Sequence, residues 1–184
     1  MANNMKLSKE EEILLQDFSR SVSTKSSALF YGNAFIVSIL PIWLFWRIHD
    51  MDIMSHAVPF IIGSIISAYL VAMAYKNTKF ILKHKIAVKR EDAINREMNK
   101  KFGDDKKLTR KEKDDRILWK KNEVADFEST TFSILLNNSL FILIVLISSF
   151  VVLRNQALLL NYALSMGSAA ALVALFSTGS VNKQ

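Results

Sequence analysis

The sequence predicts an all-α membrane protein: four transmembrane helices with a cytosolic antiparallel helical hairpin between the second and third spans. Three observations lead there. Uncharged residues run unbroken from Ser26 to Trp46, Ile53 to Tyr75, Ser129 to Leu153 and Asn155 to Asn182. Crossing about 30 Å of hydrocarbon takes roughly 20 residues of helix, so each run is long enough. A soluble helical core could hold one such run, but four in 184 residues leave too little polar surface to cover them. The second observation is charge: Lys76 to Thr130 holds 17 Lys/Arg against 11 Asp/Glu, out of 24 and 17 in the whole chain. The third is punctuation, because that segment breaks only at Gly103-Asp104-Asp105, between two stretches of good helix formers.

Residues 1–27 form a tail with four basic and four acidic side chains. It lacks the apolar region and small-residue cleavage site of a signal peptide, so the first span is expected to insert uncleaved. Ser8 with Glu11 fits a capping box, and Leu14, Leu15, Phe18 and Val22 then share one helical side suited to a membrane interface. The first span covers residues 28–48. Tyr31 at one end and Trp43, Trp46 and Arg47 at the other are interfacial anchors. Asn33 is expected to bond a neighbouring helix, and Pro41 to kink its own.

A connector from His49 to His56 leads to the second span, residues 57–75. Gly63, Ser64, Ser67, Ala68 and Ala72 make a small-residue stripe there, which lets another helix approach closely. From Asn77 to Phe102 there is neither Pro nor Gly, so this helix is expected to continue beyond the bilayer. Leu82, Ile86, Ala93, Ile94, Met98 and Phe102 would be its apolar side. After the Gly103 turn, Thr109 with Glu112 marks a second capping box. It opens a helix carrying Ile117, Leu118, Trp119, Val124 and Phe127, with Trp119 expected between the two arms. Residues 76–130 thus read as an antiparallel hairpin roughly 30–40 Å long at 1.5 Å per residue. The third span covers 131–153, with Asn137 and Asn138 as further polar packing residues. The fourth covers 158–176, with Gly167 on a close-packing side shared by Ala163 and Ala171, and 177–184 is a short tail.

Basic residues in loops of up to about 60 residues stay cytosolic. The 76–130 segment is therefore placed in the cytosol, and both termini with it. The opposite face receives two short connectors.

Catalytic patterns are missing. The chain has no cysteine, which excludes disulfides, thiol catalysis and Cys-based zinc sites. His49, Asp50, Asp52 and His56 share a connector and read as a solvated loop rather than a metal cluster. No phosphate-loop or zinc-protease pattern occurs. The span centres lack the charges that pumps and proton-coupled carriers use. No enzymatic activity, cofactor or metal is expected; the alternative function is a small channel or carrier with a regulatory cytosolic loop. The positive signal lies in the clusters Lys83–Arg90 and Lys106–Lys121, which suit phosphates of lipid or RNA. Lys79, Lys83 and Lys85, nearest the bilayer, read as lipid contacts. Arg110, Lys111, Lys113, Arg116, Lys120 and Lys121, with Lys89 and Arg90 on the opposing helix, are the candidates for an RNA backbone.

Longer stretches carry a resemblance. They are QDFSR at 16–20, KSSALFYGNAFIVS at 25–38, PIWLFWRI at 41–48 and AYKN at 74–77, then FILKHKIAVKREDA at 80–93, RKEKDDRILWKKNEVADFE at 110–128, TTFSI at 130–134 and LFSTGS at 175–180. Together they closely resemble the gamma-subunit family of the translocon-associated protein complex, the signal sequence receptor. The resemblance runs over nearly the whole chain. It implies a four-span protein of the endoplasmic reticulum membrane with both termini cytosolic. It also implies partners: single-span alpha, beta and delta subunits, the Sec61 channel, and the large ribosomal subunit, met through ribosomal RNA and a ribosomal protein. The implied role is to assist translocation and insertion of nascent chains.

Overall fold

A computed structural model describes residues 24–102 and 110–179. The expected tail helix, the Gly103 turn and the Thr109 cap lie outside the described residues. Four helices account for almost everything described: α1 Thr24–Arg47, α2 Ala57–Phe102, α3 Arg110–Ile147 and α4 Leu158–Gly179. Each contains a stretch long and apolar enough to cross a membrane. With no breaker after its first two turns, α2 runs for 46 residues. That is about 70 Å at 1.5 Å per residue, more than twice the hydrocarbon thickness. Pro41 sits inside an unbroken α1.

The core lies where α2 meets the other three helices. Phe30, Phe45, Val71, Tyr75, Phe141 and Tyr162 fill it. Outward positions such as Ile36, Ile61, Ile65, Leu135, Leu164 and Leu175 stay exposed and apolar, as suits a bundle solvated by hydrocarbon. The small residues of α2 face inward. Ser64 donates from Oγ to the Ser38 carbonyl of α1 at 3.3 Å, and Ser67 is buried one turn further along. At Gly63 a Cβ would stand 2.9 Å from the Tyr162 hydroxyl of α4. The Tyr162 ring is held edge-on by Phe45 at 5.2 Å and Phe60 at 4.8 Å.

The fourth helix packs through a different side from the one its small residues suggest. Tyr162, Ser165, Met166, Ala169, Ala170 and Val173 are buried, while Ala163, Gly167 and Ala171 are exposed. Nothing lies within 4 Å of a Cβ built at Gly167. The inward side is marked instead by the polar residues Asn161, Tyr162 and Ser165, all buried, and not by the small ones.

The two connectors are built rather than loose. Asp50 turns the chain through a positive φ of 52°, and the Met51 amide donates to the Phe45 carbonyl at 3.1 Å. Instead of lying in solvent, the His49 ring stacks between Phe45 at 4.7 Å and Phe150 at 4.9 Å. Phe150 belongs to a π-helical segment, Ser148–Val152, that ends the third span. Widening to π geometry frees backbone carbonyls. Asn161 answers one of them, donating from Nδ2 to the Ser149 carbonyl at 3.0 Å, and also donates to the Leu153 carbonyl just past the segment at 3.1 Å.

Candidate functional site

Beyond the apolar stretch of α2, the first part of α3 runs antiparallel beside it, joined by ion pairs at successive levels. At the base, Lys79 reaches Asp126 at 2.9 Å and Lys83 reaches the same oxygen at 3.5 Å. Further along α2, Lys121 pairs with Glu91 at 2.8 Å, and Arg90 reaches back down α3 to Glu128 at 3.0 Å. An apolar seam of Ile81, Ala87, Ile94 and Met98 on α2 lies buried along the same length, with Ala125 on α3. Positions 117, 118, 121, 125 and 129 recur at the spacing of one helical side. Trp119 and Phe127 fall off it and are 67% and 73% exposed. The expected packing of Trp119 between the arms is therefore replaced by an outward-facing indole.

Below this level lies a polar collar. Ser133 donates from Oγ to the Tyr75 carbonyl at 2.6 Å, and the Tyr75 hydroxyl donates to Asn138. The Asn137 amide donates to Thr78 at 3.1 Å and to the Ser133 carbonyl at 2.8 Å. Lys79 donates to Ser26 at 3.1 Å and lies over the Phe30 ring. It is 5% exposed, so it is a buried cross-link between α1, α2 and α3 rather than a lipid contact. Asn33 bonds the Leu29 carbonyl of its own helix at 3.1 Å. With Ser26, Leu29, Phe127, Thr131 and Asn138 it lines a groove of about 980 Å³ between α1 and α3.

The basic residues singled out in the sequence divide by what they already hold. Arg90 and Lys121 pair across the arms, and Lys120 pairs with Glu123 at 2.8 Å along α3. The Glu123 carboxylate raises the Lys120 ammonium above its ordinary pKa. Lys113 and Arg116 are engaged as well. Lys89 and Lys111 are exposed, and Arg110 opens α3. The Lys79–Asp126 pair was not foreseen from the sequence. Counting outward from Gly103 in both directions would have found it, since the two residues lie at similar distances from that turn. Among the described residues no group of three or more His, Asp or Glu is placed to hold a metal ion.

Residues 10–179 match the family profile described as the translocon-associated protein, gamma subunit. A relative from Dictyostelium discoideum, translocon-associated protein subunit gamma, is 30% identical over 159 residues, which is 86% of this chain and 90% of the relative.

Proposed function

The chain belongs to the gamma-subunit family of the translocon-associated protein, and on that premise we propose a non-catalytic adaptor that links the Sec61 channel region to the translating ribosome. It assists co-translational translocation or insertion at the endoplasmic reticulum. The four spans sit among the alpha, beta and delta subunits and lipid. Both termini and the helix pair face the cytosol, where the pair meets RNA and protein of the large ribosomal subunit. The observation that carries this reading is the 46-residue α2 and its ion-paired return in α3. Ion pairs over residues 79–91 and 121–128 and the buried seam stiffen the helix pair into an arm, and an excess of basic residues on it suits phosphate.

The test uses the full chain in neutral-lipid nanodiscs sedimented with ribosomes at physiological salt. Native chain should co-sediment, and charge reversal of Lys111, Lys113 and Arg116 together with Lys85 and Lys89 should abolish it. The same chain in liposomes should pass no ions or small solutes. Saturable flux without ribosome binding would replace the adaptor with a channel or carrier.

A further inference from the structure

Four basic residues of α2 lie on one line. At 3.6 residues per turn, Lys85, Lys89, Arg96 and Lys100 fall within an arc of about 60°. The seam residues Ala87, Ile94 and Met98 occupy the opposite side of the helix, against α3. All four basic residues are exposed. Their acidic neighbours are turned elsewhere: Glu91 holds Lys121 at 2.8 Å, and Glu97 holds Lys101 at 3.1 Å. Among the described residues none of the four meets a carboxylate. The acid of α2 that borders the same arc is Asp92.

We infer that Lys85, Lys89, Arg96 and Lys100 form a phosphate-binding ridge, and that its ligand is an RNA backbone. The inference rests on the adaptor reading and says which face of the arm does the binding. Distance separates RNA from lipid headgroups. An unbroken helix puts Lys85 about 15 Å and Lys100 about 37 Å beyond Tyr75. Charge at a lipid surface is screened within about 8 Å at physiological salt. Only a polyanion standing alongside the arm reaches all four. Arg90, Lys120 and Lys121 are excluded from the ridge because a carboxylate already neutralises each.

The test compares the full chain in neutral nanodiscs with a variant carrying Lys85→Gln, Lys89→Gln, Arg96→Gln and Lys100→Gln. Binding to ribosomes and to protein-free ribosomal RNA is measured across a salt series. The slope of log affinity against log salt should fall by about 0.7–0.9 for each phosphate that the variant no longer neutralises. Helix content should be unchanged, since none of the four side chains braces the two arms. Asp92→Asn should tighten binding. Unchanged affinity and slope in the Gln variant, while charge reversal of Lys111, Lys113 and Arg116 releases ribosomes, would overturn the ridge and leave the adaptor standing. No effect from either variant would remove the adaptor reading itself. A deficit confined to anionic vesicles would make the ridge a lipid-binding surface. One seen with ribosomes but absent with free RNA would make its ligand an acidic protein surface.

Discussion

Lys79 Nζ lies 2.9 Å from Asp126 Oδ1, joining the two long helices where their apolar stretches end. The partners differ in burial: the Lys79 side chain is 6% exposed and that of Asp126 41%. Breaking the pair from either side is therefore unequal. Asp126→Ala leaves a buried ammonium with only a serine hydroxyl, whereas Lys79→Met leaves a carboxylate that still has Lys83 and water. An unsatisfied buried charge costs on the order of 1–3 kcal/mol or more. Asp126→Ala should lower the melting temperature of the detergent-solubilised chain clearly, and Lys79→Met less.

At Gly63 the Tyr162 side chain of α4 packs directly against α2. Gly63→Ala would press a methyl group into the Tyr162 hydroxyl and ring edge, at 2.9 and 3.1 Å. Two phenylalanines hold that ring, so it has no easy retreat. Overpacking of this kind costs about 1–3 kcal/mol. Thermal melts should show this loss for Gly63→Ala and no loss for Gly167→Ala. Adding Tyr162→Phe should recover part of it, because the nearest atom is the hydroxyl.

Trp119 stands out from the helix pair, so Trp119→Ala should shift stability by no more than about 0.5 kcal/mol. Its effect, if the indole stacks on a partner, belongs in ribosome binding at unchanged melting temperature. A large drop in melting temperature would return Trp119 to the space between the arms.

His49 is expected to make the first connector sensitive to acid. Burial between two aromatic rings lowers its pKa from 6.5, and its Nε2 is shielded with no hydrogen-bond partner among the described residues. A lowered folded-state pKa means that the unfolded chain binds the proton more tightly. The stabilisation is therefore complete above about pH 6.5 and is lost as pH falls below it. Melting temperature should drop between about pH 7.5 and 5.5, either side of the ordinary histidine value, and His49→Gln should flatten that dependence. Asp50, Asp52 and His56 remain in the variant, so the difference isolates His49.

Topology has a direct check, because the chain contains no cysteine. In sealed microsomes Asp105→Cys should react with an impermeant thiol reagent from the cytosolic side. Asp52→Cys should react only after the membrane is opened. Equal labelling of both would break the four-span orientation.

The number of spans and the long extension of the second helix were legible because bilayer thickness imposes them. A span needs roughly 20 apolar residues, and a helix without a breaker does not stop at the membrane surface. The inward side of each span was a different matter. In hydrocarbon the solvent is as apolar as the protein interior, so burial leaves no hydrophobic pattern to read. Gly63 and Gly167 look alike in the sequence, yet only Gly63 faces a partner ring. Asn33 and Asn137 also look alike, but Asn33 bonds its own helix whereas Asn137 crosses to Thr78. Along the arm, the sequence determined how much positive charge there is. Tertiary pairing decided where much of that charge is available, because Arg90 and Lys121 each lie within 3.0 Å of a carboxylate on the other arm while Lys85, Lys89, Arg96 and Lys100 face outward. Charge is a property of composition, but neutralisation depends on distance, and only the fold brings residues 30 or more positions apart to within hydrogen-bonding reach.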